Sequence, residues 1–140
     1  MKVSTKGRYA LRMVLDLAQQ QKDGYIALKD VANRQHISKK YLEQIVPILT
    51  KAGLIQSTRG FQGGYRLMVA PEACTVGQIL RLTEGTMCPL PCLEENAPAC
   101  QQREACLTVK MWQGLDKAIN SYIDSITLQD LLEGNEEKFS

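Results

Sequence analysis

Four of the five cysteines, Cys88, Cys92, Cys100 and Cys106, crowd into one short segment that also holds Pro89, Pro91 and Pro98. Thiolates chelate soft metals, and three prolines keep a segment out of regular helix or strand. The backbone is then free to wrap an ion or an iron–sulfur cluster. The intervals of three, seven and five residues between these cysteines contain none of the paired CxxC knuckles usual in structural zinc sites. A tetrathiolate zinc site and a cluster-free thiol redox switch stay open as alternatives. Cys74 stands outside the segment and reads as packing.

A charge split accompanies the cysteines. Residues 1–66 carry twelve Lys and Arg against four acids, a net of +8, while the remainder carries five against eleven, a net of −6. The formal total of +2 hides this asymmetry. It is the pattern of a polyanion-binding half joined to a half with another task. No apolar run approaches the roughly 20 residues that cross a bilayer, and MKVSTKGRYA lacks a signal-peptide core. The expectation is a cytoplasmic protein, where clustered thiols serve as ligands or sensors rather than as structural disulfides.

The elements that position these residues follow from periodicity. Ser4 or Thr5 caps a helix with Leu11, Val14, Leu15 and Ala18 on one face, ending near Gln21. A short segment buries Val31 and Ala32, a break falls at His36 and Ile37, and Ser38 caps a third helix with Tyr41, Leu42, Ile45 and Leu49 inward and Gly53 as its stop. That is helix-turn-helix spacing. Pro47 predicts a kink or early unwinding in the third helix, because it removes the amide that bonds to the Glu43 carbonyl. Residues 54–57 and 65–68 read as two strands of a wing whose tip carries Arg59, and three glycines there permit positive φ and close approach to a phosphate backbone. Thr75 and Gln78 form a capping box for a fourth helix bearing Ile79, Leu80 and Leu82.

Beyond Cys106, Leu107, Met111, Leu115, Ile119, Tyr122 and Ile126 repeat at helical spacing, with Trp112 and Ile123 widening the stripe. A helix of about 19 residues, close to 28 Å long, is too long for a small domain to cover and predicts a dimer interface. Thr127 and Asp130 cap a last short helix, and residues 133–140 read as an acidic tail that frays. The fold class is mainly α with a small β wing. A winged helix-turn-helix domain (1–72) is followed by a linking helix and cysteine loop (73–105), then by a dimerisation helix and short C-terminal helix (106–140).

DNA contacts are expected from Ser38, Lys39, Lys40, Tyr41 and Gln44 on the third helix, and from Arg59, Gly60, Gly63, Gly64 and Tyr65 on the wing. Lys39 and Lys40 suit phosphate, and Gln44 suits adenine. Glu43 repels phosphate but accepts from cytosine N4, so it reads as a specificity residue tuned by the state of the cysteine loop. The lone His36 has no catalytic setting and no nucleophile motif appears, so an enzyme is not expected.

The chain resembles the family of winged-helix bacterial transcription regulators that includes IscR, NsrR and CymR. The residues that carry the likeness are STKGRYAL (4–11), ISKKYLEQI (37–45), KAGL (51–54), RGFQGGYRL (59–67) and the spaced cysteines followed by LTVKMWQGL (107–115). The resemblance implies a homodimer with crossed long helices on double-stranded DNA, and in the IscR branch a 2Fe-2S cluster on three cysteines, which fall here on Cys92, Cys100 and Cys106. Two departures concern the fourth ligand. The histidine expected three residues after the last cysteine is Val109, and the aspartate that NsrR-type members take from the first helix is Arg8. Cys88, Glu94, Glu95, Glu104 or a small exogenous ligand remain. The IscR branch implies a repressor of iron–sulfur biogenesis genes with a cluster-donor partner, and the CymR branch implies cluster-free control by thiol oxidation or by a partner from cysteine metabolism.

Overall fold

The computed structural model describes residues 2–21, 24–60, 63–94 and 106–140. In chain order the elements are α1 (Thr5–Gln19), α2 (Leu28–Gln35), α3 (Lys39–Lys51), β1 (Ile55–Thr58), β2 (Gly64–Leu67), α4 (Val76–Glu84), α5 (Val109–Ser125), α6 (Leu128–Glu133) and α7 (Glu136–Phe139). Each of four helices starts where a side chain takes up an orphan amide. The Ser4 hydroxyl accepts from Gly7 N at 3.0 Å and Ser38 from Tyr41 N at 3.1 Å. Thr75 with Gln78, and Thr127 with Asp130, close full capping boxes.

The main core joins Ala10, Met13, Val14 and Leu17 of α1 to Val31 of α2, Leu42, Ile45 and Leu49 of α3, and Ile55 and Leu67 of the wing. It does not stop at the wing. Cys74, Ile79 and Leu128 belong to it, because residues 74–76 and 126–128 pair antiparallel, with Val76 N on Ile126 O at 2.8 Å and Leu128 N on Cys74 O at 2.9 Å. A second, smaller cluster packs Leu80 and Met87 against Ile123 of α5.

Three expectations are corrected. The third helix runs on through Pro47 to Lys51 without early unwinding. Glu43 and Pro47 both lie on its exposed side, so water can satisfy the carbonyl that proline leaves free, while buried Ile45 and Leu49 hold the backbone in place. Both wing strands are shifted by one residue at each end, the first to Ile55–Thr58 and the second to Gly64–Leu67, and the long helix begins at Val109. The acidic tail does not fray. Residues 136–139 form α7, tied back by Lys138 Nζ to Asp130 Oδ2 at 2.7 Å and by the Tyr122 hydroxyl to Phe139 O at 2.8 Å.

Those contacts have a pH consequence. The Lys138 ammonium first, then the Thr127 amide, hold the Asp130 carboxyl at about 2. A carboxyl depressed in the folded state contributes stability that is present above its unfolded value near 3.8 and is lost as pH falls through about 2. Lys138→Ala is therefore expected to move the Asp130 titration, followed by its carboxyl carbon resonance, upward toward the ordinary range. An unmoved titration would mean that the Thr127 cap alone sets it.

Candidate nucleic-acid interface and cysteine segment

The recognition surface is built on α3 and the wing. Ser38 is spent on the helix cap, and Lys39, Lys40, Glu43 and Gln44 are exposed along the first turns of α3. Among the described residues no ion pair joins Glu43 to Lys39 or Lys40. Tyr41 is half-buried, its ring edge-on to Tyr9 with centroids 5.3 Å apart. It therefore fixes how α3 leans on α1. The turn into α3 is made by His36, the one non-glycine residue at positive φ among those described (φ 55°), which closes α2 in the left-handed region. This gives the lone histidine a conformational role.

In the wing, Arg59 and Gly60 are exposed at the tip, and Phe61 and Gln62 lie outside the described residues. Only Gly60 of the wing glycines has positive φ, at 113°. This narrows the expectation that all three glycines serve backbone freedom. Gly64 is buried, and a Cβ there would meet Ile26 O at 2.4 Å. Its absence lets Tyr65 and Ile26 exchange two backbone hydrogen bonds of 2.8 Å. β2 of the wing is thereby joined, near its loop end, to the residues that lead into α2. Between α3, the wing and the start of α2 runs a groove of about 390 Å³ lined by Lys29, Lys39, Glu43, Thr58 and Gly60 among others.

Sequence reasoning passed over Asp16, which is 1% exposed on α1. Arg34 of α2 binds it in a fork, Nε to Oδ2 at 3.0 Å and Nη2 to Oδ1 at 2.8 Å, and Gln35 Nε2 adds a third donor at 2.9 Å. Arg12 in turn donates to the Gln35 carbonyl and stacks over Tyr9. This network sets the end of α2, and so the turn that aims α3.

The cysteines divide among different surroundings. Cys74 is buried in the core and burial pushes its thiol up. Cys88 is half-buried and lines a groove of about 260 Å³ with Arg81, Glu94, Asp116 and Asn120 between α4 and α5. Burial raises its thiol above the ordinary value, and the Asp116 and Glu94 carboxylates push the same way. Cys92 is exposed on a short 3-10 turn, Pro91–Leu93. Cys106 lies just before α5, its sulfur 3.3 Å from the Thr108 hydroxyl. That hydrogen bond first, then the backbone at Thr108 and Val109, draws its thiol below the ordinary value and favours thiolate. Cys100, Glu95 and Glu104 lie outside the described residues. Among the described residues no three His, Cys, Asp or Glu side chains converge on one point.

Leu107, just before α5, and Met111, Leu115 and Tyr122 on it stand 99%, 52%, 40% and 46% exposed, whereas Ile119 and Ile123 of the same helix turn toward α4. Half of the apolar stripe is uncovered. Arg81 of α4 holds α5 through Asp124, at 2.7 and 2.8 Å, and through Asn120 at 2.8 Å. No helix among the described residues is long and apolar enough to cross a membrane.

With this geometry in view, residues 3–134 match the Rrf2 family model, described as an iron-dependent transcriptional regulator. The chain belongs to the Rrf2 family. The HTH-type transcriptional regulator CymR of Bacillus subtilis is 40% identical over 99% of this chain and 97% of its own. The solved structure of CymR, the global cysteine regulator of B. subtilis, covers 94% of this chain and 95% of its own with a TM-score of 0.78 at 38% identity. The IscR of Aliivibrio salmonicida is 39% identical over 97% of this chain and 80% of its own. The structure of T. potens IscR covers 98% of this chain and 90% of its own with a TM-score of 0.75 at 40% identity. This Rrf2 member is thus a DNA-binding transcriptional regulator of winged-helix fold, and its family is one of regulators rather than of enzymes.

Proposed function

We propose that this Rrf2 protein is an IscR-type homodimeric repressor whose grip on DNA is set by a labile 2Fe-2S cluster, and that it controls genes of iron–sulfur cluster biogenesis. The observation that carries the reading is the placement of Cys106 directly before α5, in the same segment as exposed Cys92. Soft sulfur donors in thiolate form suit iron–sulfur ligation. Cys92, Cys100 and Cys106 would hold the cluster, with Cys88 or Glu94 as candidates for the fourth position. Bound there, the cluster supplies sensitivity to oxygen, nitric oxide or iron shortage through its own loss.

The chain's own residues do the rest. Lys39 and Lys40 bind phosphate, Gln44 and Glu43 read base edges, and Arg59 reaches the minor groove from the wing. The uncovered stripe on α5 supports dimerisation, since an exposed apolar face of this kind marks a partner surface.

A second reading draws on the likeness to CymR and on Val109, which stands where the resemblance expects a histidine ligand. In that reading the chain regulates cysteine metabolism without a cluster, through thiol oxidation or a partner protein. Purification without oxygen decides between the two. The expected result is a red-brown protein with iron and acid-labile sulfide near-equal at about two per chain. The triple variant Cys92→Ala, Cys100→Ala, Cys106→Ala should lose both and remain a folded dimer. A colourless protein that still binds DNA after attempted reconstitution favours the CymR-like reading, and stoichiometric zinc without iron favours a structural metal site.

A further inference from the structure

We infer that Lys29 is a DNA-positioning residue. With Lys39 it forms a seat for one backbone phosphate in the groove between recognition helix and wing. The inference rests on the reading of α3 and the wing as the DNA-facing surface, and deepens it with a residue on a third element. Lys29 belongs to α2 and Lys39 to α3, yet both line one groove whose remaining wall is the wing at Thr58 and Gly60. Both side chains are exposed, and among the described residues neither has an ion-pair partner. Glu43 is the one acid on this lining, so the groove keeps a net positive charge.

The occupant follows from the chemistry of lysine and from the placement of α2. An ammonium is a compact point charge without the planar fork that reads base edges, so paired lysines suit a phosphate better than a base. In a helix-turn-helix the helix before the recognition helix crosses the DNA backbone, which is where the start of α2 stands.

Because Tyr65 and Ile26 share two backbone hydrogen bonds, β2 of the wing is tied to the entry to α2. Lys29 thereby sets the distance between the backbone strand gripped in the groove and the minor groove reached by Arg59. A contact of this type adds affinity on every sequence and discriminates among none.

The test uses the full-length protein, a duplex recovered by in vitro selection with the wild type, and a scrambled duplex of equal length, each titrated across a salt series. Lys29→Ala is expected to flatten the dependence of log K on log salt by about one unit on both duplexes, leaving the ratio of the two affinities unchanged. Lys29→Arg should restore the slope. Since Lys29 is exposed, the thermal midpoint should not move, which separates a lost contact from a damaged fold. An unchanged slope for Lys29→Ala overturns the seat, as does a loss of discrimination between the duplexes at constant slope. Lys40→Ala and Arg59→Ala run alongside. If these flatten the slope and Lys29→Ala does not, the interface stands and the seat is wrong; if none does, the interface itself is misplaced and the seat falls with it.

Discussion

Arg34→Ala is expected to destabilise the protein by about 3 kcal/mol, the low end of the range for removing one member of a buried ion pair. The Asp16 carboxylate is 1% exposed and takes three side-chain donors, two of them from the Arg34 fork. Deleting the guanidinium leaves a carboxylate that water cannot reach, with the Gln35 amide as its remaining side-chain donor among the described residues. The low end applies because the Arg34 side chain is itself 38% exposed, so solvent already screens part of the pair. Asp16→Ala should cost less, roughly 1 to 2 kcal/mol, since Arg34 can then turn to water. Denaturant midpoints at unchanged m-value measure both. Equal costs for the two variants would show that burial of the carboxylate is not what makes the network matter. Arg34→Ala should also weaken DNA binding, because the end of α2 sets the His36 turn and through it the direction of α3.

This network shows where sequence reading stops. The caps at Ser4, Ser38, Thr75 and Thr127 were legible because donor and acceptor lie within three residues of each other, so chemistry and spacing appear in one short window. The apolar periodicities of α3 and α5 were legible for the same reason, and so was the break between α2 and α3, whereas in α1 the core face is Ala10, Met13, Val14 and Leu17, and the expected Leu11, Leu15 and Ala18 are only partly buried beside it. Asp16 and Arg34 are 18 residues apart and on different helices, and each alone looks like a solvated charge. Only the fold brings them together. The groove that Lys29 lines was not legible either, because it is shared by three elements. The tail was misread as fraying since its anchors, Asp130 and Tyr122, lie eight and 17 residues back along the chain.

Pro47 is a different kind of miss. Helix propensity predicts a break, but propensity is a weak prior when buried neighbours fix the backbone and water takes the orphan carbonyl. For the cysteine segment, the residue types and their chemistry were legible, while the ligand set was not. Spacing alone does not say which thiols share a face. The structure adds that Cys88 sits in a groove where burial first, and then the Asp116 and Glu94 carboxylates, disfavour its thiolate, whereas the hydrogen bond from Thr108 draws the Cys106 thiol down.

If the protein senses a cluster as proposed, Glu84→Ala is expected to leave cluster loading and dimerisation intact while reducing the difference in operator affinity between the cluster-bound and cluster-free forms. Glu84 is the last residue of α4, directly before Gly85 and the segment that leads to Cys88. Its carboxylate accepts from the Ser4 backbone amide at 3.1 Å and from the Ser4 hydroxyl, and Ser4 caps α1. Gly7 lets this end of α4 lie close, since a Cβ there would stand 2.4 Å from the carboxylate oxygen. One residue thus touches both the edge of the cysteine segment and the first turn of the helix that Tyr41 leans on through Tyr9. A coupling of about 1 to 3 kcal/mol between sensor and operator corresponds to roughly 5- to 150-fold in affinity, and the variant should bring that ratio toward one. Loss of the contact itself should cost only about 1 kcal/mol of stability, so the protein stays folded for the measurement. A ratio that survives Glu84→Ala would place the coupling on the other firm link out of α4, the Arg81 fork to Asp124, and Arg81→Ala would then be the variant that abolishes it.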